Sequence, residues 1–473
     1  MNGMRERASA STAASTSTRI DPAVWKVAAV VSIGSFMSQM DSTLVNVSLS
    51  AIGHTLDASI ATAQWIVSGY LLAMALMLPL NGWLVDRIGA KRLYLFCFST
   101  FTIASMLCVA SRTIGELIGA RIFQGLVAGV LVPMAQMMIG RVAGKNLERV
   151  MGYTALPILL GPILGPVLAG LVLAHANWPW LFFINVPAGA VGVAMAVLLL
   201  PRDAAVSQQR PFDFAGFALI SPGLVALVYG LQDASRAAGL ACLLAGVVLL
   251  GGFVRYAMRK GNAALIDVHL FATRTFSAAA LAQFFANGIM YGRQLAVPLF
   301  LIAGCGLSTA HAGGLLAATG VGMMCSFPLL GRLTEGLGCR ALAAGGALLA
   351  FLGTLVFLWM SVHSFSTGWA AVSLFLAGVG QGTISVPSIS AAYSSIARER
   401  LAVANTALNI AQRVGGPFAT TLLSMVIALT LHGASGAQPG RFLSTFVLLA
   451  GLHLLCFVAA MFLPVRVERA KNA

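Results

Sequence analysis

Long apolar runs broken by short polar turns organise this chain. Fourteen runs can be drawn, at about 27–51, 62–84, 92–110, 114–140, 150–173, 179–201, 214–232, 239–258, 276–304, 310–331, 341–362, 368–394, 403–431 and 442–464. Each is about twenty residues or longer, enough for a helix to cross a hydrocarbon core of about 30 Å. The turns are too short for a sizeable soluble domain on either face. The pattern predicts an all-α polytopic membrane protein, helix packed on helix in lipid, where small residues permit close approach. The 50 Gly suit that demand.

Charge gives the orientation. With the N-terminus in the cytoplasm, 23 of the 29 Lys and Arg fall in cytoplasmic tails and turns. Arg112, Arg236 and Arg441 fall in outer turns, and Arg121, Arg293 and Arg413 within spans. One missed or extra crossing would scramble every later turn, so the asymmetry supports fourteen spans with both termini inside. The net charge of +15 thus reads as positive-inside bias, and no nucleic-acid partner is expected. Hydrophobic residues make up 59% and charged residues 9%, far from a soluble domain. The Cys residues show neither metal spacing nor a disulfide framework, and only Cys305 is placed near the outer face. Residues 1–26, rich in Ser, Thr and Ala, read as a disordered cytoplasmic tail. No P-loop, Ser–His arrangement or metal-ligand cluster stands out, so neither an enzyme nor a cofactor is expected. A sensor would carry a soluble output domain. Uphill work would then draw on an ion gradient.

The chain repeats itself. Gly82-Trp83-Leu84-Val85-Asp86-Arg87-Ile88-Gly89-Ala90-Lys91 is echoed by Gly331-Arg332-Leu333-Thr334-Glu335-Gly336-Leu337-Gly338-Cys339-Arg340, with Gly, Leu, acid, Gly and base in register. Thr154-Ala155-Leu156 with Ile158 recurs as Thr406-Ala407-Leu408 with Ile410, each after an acid–base turn. Copies in one orientation imply halves related by an axis along the membrane normal. The division that follows is an N-terminal six-helix half (27–201), an inserted helix pair with its linkers (202–275), a C-terminal six-helix half (276–464) and a tail (465–473).

The Gly82 turn is the most specific motif. Its glycines permit tight turning, Asp86 is placed to meet a helix N-terminus or a basic neighbour, and Arg87, Lys91 and Arg92 face the cytoplasm. At Gly161-Pro162-Ile163-Leu164-Gly165-Pro166, the prolines remove backbone donors and the glycines flatten one face, as a conformational seal between halves would need.

These motifs resemble the major facilitator superfamily, whose signature turn follows the second helix. Arg121-Ile122-Phe123-Gln124-Gly125 with Gly129 is similar to the family's fourth-helix motif, and Gly161–Gly165 to the fifth-helix motif of exporters. Met40-Asp41-Ser42-Thr43-Leu44-Val45-Asn46-Val47 and Trp178-Pro179-Trp180-Leu181-Phe182-Phe183-Ile184-Asn185-Val186-Pro187-Ala188-Gly189 resemble the fourteen-helix drug:proton antiporters of the EmrB/QacA type. Pro166 departs from the exporter pattern, which usually has a second Gly there, and Arg293 is a charge the pattern does not contain. The resemblance implies a proton-coupled exporter of small organic compounds working by alternating access, in a bacterial cytoplasmic membrane. A facilitator or importer on the same fold is the rival, and a periplasmic adaptor partner is left open.

Ionisable residues inside a membrane are functional candidates by default. Asp41 is the only acid deep within a span, and Arg121 lies at a comparable depth, so a pair is expected to carry proton coupling. Asp86 and Glu335, with Gly82, Arg87, Gly89, Lys91, Gly331, Gly338 and Arg340, would bias the cytoplasmic gate. Met37, Gln39, Gln64, Trp65, Tyr70, Gln124, Asn185, Tyr291, Arg293, Gln294 and Arg413 are the expected substrate lining. An Arg before Gly415-Gly416 resembles the same branch, whereas Arg293 has no such support. If Arg293 faces the cavity, the surplus of buried positive charge favours anionic or zwitterionic compounds. His453 is read as a packing residue.

Overall fold

The computed structural model describes residues 20–203, 211–233, 236–397, 400–431 and 438–465. Its long helices are α1 (Pro22–Thr55), α2 (Trp65–Ile88, through a 3-10 turn at Leu78–Leu80), α3 (Ala90–Ala110), α4 (Ile114–Val142), α5 (Leu147–His175) and α6 (Trp180–Leu199). There follow α7 (Phe214–Gln232), α8 (Ala237–Lys260), α9 (Arg274–Leu299), α10 (Thr309–Ser326), α11 (Leu330–Val362), α12 (Thr367–Ser394), α13 (Leu401–Leu431) and α14 (Leu443–Met461). Each covers one of the apolar runs. Among the described residues, 11 stretches are long and apolar enough to cross a membrane, and one of them, His311–Val362, holds both α10 and α11.

One boundary is corrected. Residues 22–26, assigned to a disordered tail, form the first turns of α1. Asp21 accepts from the Ala23 amide at 2.8 Å and Pro22 stands in the first turn, a capping arrangement that starts the helix early. Residues 1–19 and 466–473 of the tails lie outside the described residues.

The sequence repeat is a repeat in space. Gly89 and Gly338 both adopt positive φ (92° and 82°), which lets the turn reverse where a side chain would strain it. Lys91, after Gly89, donates to the carbonyls of Val197 (2.9 Å) and Leu200 (2.7 Å) at the end of α6. Its counterpart Arg340 donates through Nε to the Leu463 carbonyl (2.7 Å) just past α14. Each basic residue therefore satisfies orphan carbonyls at the last helix of its half.

A single carboxylate holds the inserted pair. Asp213 caps α7 through Gly216 (3.0 Å), accepts from Tyr256 and Lys260 at the end of α8 (both 2.7 Å), and accepts from the Leu265 amide (2.9 Å). Burial pushes its pKa up, but the bonds from Lys260, Tyr256 and the two amides outweigh this and hold it below the usual carboxylate value. At the other end α7 leans on both halves: Tyr229 stacks on Trp65 of α2, and the Leu231 carbonyl accepts from Thr421 of α13 at 2.6 Å.

With the basic turns placed inside, impermeant thiol labelling of Cys variants at Asp57, Asn177 and Ser364 should report the outer face, and at Arg87 and Arg400 the inner face. Ser364 and Arg400 on one side would contradict the topology.

Candidate functional site

Five helices of the N-terminal half converge on one ion pair. Arg121 Nη1 of α4 donates to Asp41 Oδ2 of α1 at 2.5 Å, and the two side chains are 0% and 1% exposed. Asn185 of α6 donates to the other carboxylate oxygen at 2.8 Å. Arg121 also donates to Gln124 Oε1 (2.5 Å) and to the Ile66 carbonyl of α2 (3.3 Å), while Gln124 donates to Ser105 of α3 (2.8 Å). The guanidinium lies 4.2 Å from the Tyr70 ring centre and 5.7 Å from that of Phe182. Tyr70 is itself hydrogen-bonded to Ser38 at 3.2 Å.

The wall is dry. Met40, Leu44, Ile66, Leu117, Leu181 and Phe182 pack around the pair in one buried cluster. In such surroundings Coulombic attraction is strong and desolvation costly, so the charges persist only as a hydrogen-bonded pair. The network is left incomplete: among the described residues, Arg121 Nη2 and Asn185 Oδ1 have no hydrogen-bond partner. A cluster of this kind can take up a proton at Asp41, which would release Arg121 from its counter-charge, or receive a polar group of a ligand at the open atoms.

Of the expected lining, Tyr70, Gln124 and Asn185 belong to this cluster, and Met37 is buried in the apolar core. Gln39 is half-buried on the same helix as Asp41. Gln64 and Trp65 are exposed at the outer end of α2, where Trp65 meets Tyr229 instead of Asp41. In the other half, Tyr291 and Gln294 are exposed, with Tyr291 packed over Gly416. Arg413 is half-buried on α13, close enough to Tyr70 for an electrostatic interaction between the halves. Two residues the sequence reading missed, Gln412 and Gln283, link α13 to α9 at 2.9 Å, and Gln283 also donates to the Ser385 carbonyl of α12. A groove of about 470 Å³ opens elsewhere, at the inner face between Trp83, Arg87, Phe212 and Phe214, away from the buried pair.

The halves meet at the ends that carry the basic turns. Gly82 of α2 faces the first turn of α13, so that a Cβ on it would lie 3.3 Å from the Ala402 carbonyl. Its counterpart Gly331 faces the first turn of α5 in the same way, with Arg149 Cβ 2.7 Å from the added atom. Asn405 donates to the Pro133 carbonyl of α4 (2.8 Å) and Asn409 to Gln136 (3.2 Å). Ser390 of α12 donates to Glu148 of α5, and Arg400 pairs with Asp267. Asp86 lies 3.8 Å from Arg141 of α4, the basic neighbour expected for it, whereas Glu335 is exposed. Gly165 of the exporter-like motif lies against Thr43 of α1. The surroundings of Gly161, Pro162 and Pro166 lie outside the described residues.

The family model for the Major Facilitator Superfamily matches residues 31–420. The chain belongs to that family. A multidrug resistance protein B homolog of Mycobacterium tuberculosis (strain ATCC 25618 / H37Rv) is 29% identical over 418 residues, 86% of this chain and 77% of its own. The putative multidrug resistance protein MdtD of Escherichia coli (strain K12) is 34% identical over 364 residues, 75% of this chain and 76% of its own. Among solved structures, the human organic anion transporter MFSD10 shares the fold with a TM-score of 0.64 at 16% identity, covering 93% of this chain and 100% of that one. The proton:xylose symporter XylE does so with a TM-score of 0.65 at 12% identity, covering 93% and 95%.

Proposed function

We propose that this protein is a proton-coupled antiporter that exports small, largely apolar organic compounds across a bacterial cytoplasmic membrane through fourteen spans, with both termini inside. The observation that carries the reading is Asp41, buried deep in an apolar bundle and held by Arg121 and Asn185. A carboxylate there is costly as a charge, so a proton and a cationic or hydrogen-bond-donating group of the substrate compete for it. Proton uptake from one side and substrate release to the same side then follow from one exchange at one site. The multidrug names of the relatives support the substrate class.

Alternating access supplies the second requirement. The closed inner ends correspond to a state facing outward. Rocking of the halves about the central site would break the Gly82–Ala402 and Gly331–Arg149 seams together, because the repeat makes them equivalent. The Asp86 turn would set the balance between states. Asp86→Asn should slow the cycle while leaving the protein folded, since partly exposed turns tolerate such changes within about 0.5 kcal/mol. Wild-type turnover in that variant would reduce the motif to a solvated turn.

The test of the function is transport in proteoliposomes carrying an imposed pH gradient, with cationic, neutral and anionic compounds. Accumulation of a compound on the acidic side supports antiport. Equilibration without accumulation would make the protein a facilitator, and accumulation away from the acidic side an importer.

A further inference from the structure

The C-terminal half holds a buried charge of its own. Arg293 of α9 is 5% exposed, and among the described residues its Nη1 has no hydrogen-bond partner and no salt bridge reaches it. A guanidinium cannot shed its proton in a protein, so the charge remains. Snorkelling to outer headgroups does not relieve it either. Arg293 stands about 16 Å below the outer end of its helical run at Gly304, and its head is enclosed by protein.

A second unsatisfied polar atom sits at matching depth on α14. His453 lies about 15 Å from the outer end of that helix. It is fully buried, and its Nδ1 is hydrogen-bonded to the Leu449 carbonyl at 2.8 Å. A carbonyl only accepts, so Nδ1 carries the proton and Nε2 is left as an acceptor, also without a partner. The packing brings these turns together. A Cβ on Gly292 would lie 3.7 Å from Leu449 Cδ1, and Cys456 Sγ reaches the Ala282 carbonyl at 3.7 Å deeper along the same helix pair. Arg293 and His453 lie within electrostatic reach of each other. The sequence reading took His453 for a satisfied packing residue; its open Nε2 corrects that.

We propose that Arg293 and His453 form a buried subsite for a monovalent anion, with Arg293 neutralising the charge and His453 Nε2 accepting from a hydroxyl or water that accompanies it. The anion is the carboxylate of a small organic acid or an inorganic ion such as chloride. The contrast with the other half supports the assignment. There Arg121 has a built-in counter-ion in Asp41, while the described residues supply none for Arg293, so the counter-charge has to arrive from outside. The subsite does not depend on proton coupling at Asp41.

Thermal unfolding of the purified full chain in detergent tests this, with sodium benzoate against the uncharged benzamide, and chloride against methanesulfonate at equal ionic strength. A saturable rise in Tm with benzoate but not benzamide assigns the anion to an organic carboxylate, and a rise with chloride alone assigns it to an inorganic ion. Arg293→Gln should weaken the apparent affinity roughly tenfold or more. If Arg293→Gln does not fold, Arg293→Lys and His453→Gln carry the test, each with weaker binding expected. No saturable anion effect in the wild type, or one that is undiminished in these Arg293 and His453 variants, overturns the proposal.

Discussion

Asp41→Asn is expected to abolish gradient-driven accumulation in proteoliposomes while the protein still inserts and binds substrate. Asn keeps the size of the side chain and one acceptor for Asn185, which lies 2.8 Å away. It loses the charge that neutralises Arg121 and, in the proposed cycle, the proton exchanged with the substrate. Removing one partner of a buried pair costs about 3–5 kcal/mol, so loss of activity could reflect destabilisation alone. The double variant Asp41→Asn/Arg121→Gln separates the two explanations, because it removes the uncompensated charge as well. Recovered thermal stability without recovered accumulation identifies coupling. Recovery of both would reduce the pair to a structural salt bridge.

Gly82→Leu is expected to trap the transporter open to the inside. The seam between α2 and the start of α13 leaves 3.3 Å from an added Cβ to the Ala402 carbonyl, already a tight contact, and Leu adds three more carbons beyond it. Overpacking of this kind costs about 1–3 kcal/mol. Applied to one conformation only, it shifts a two-state balance roughly 5–150-fold. In the proposed cycle the other conformation parts this seam, so the chain is expected to stay folded. A Cys at Ser390, buried at the inner seam beside Glu148, reads the shift in a background without native Cys. Its labelling from the cytoplasmic side should rise sharply in Gly82→Leu, and transport should fall in parallel. Unchanged labelling would mean that the seam does not move during the cycle.

The hydrophobic pattern carried the helices, and the repeat carried more than expected. The in-register glycines of the two turns mark the positions with positive φ, and the bases after them mark the residues that cap α6 and α14. Asp41 and Arg121 were legible because ionisable residues in apolar spans are rare and their depths matched. Their other partners were not. When nearly every face of a helix is apolar, the sequence does not say how the helix is rotated, so the links from Gln124 to Ser105, or from Gln283 to Gln412, cannot be read. Trp65 illustrates the same limit: an aromatic at a span end reads as lining, yet it is exposed and stacks on Tyr229 of α7. Asp213 was overlooked because a lone acid beside a basic turn looks solvated. Its role depends on the end of α8 returning to the start of α7.

The central claim is that protonation of Asp41 and substrate binding exclude each other. The most direct measurement is proton release from purified protein in weakly buffered detergent solution when a transported compound, identified by the proteoliposome panel, is added. Release in the wild type should saturate with the compound and disappear in Asp41→Asn. Binding without proton release, or equal release from the wild type and Asp41→Asn, would contradict the claim.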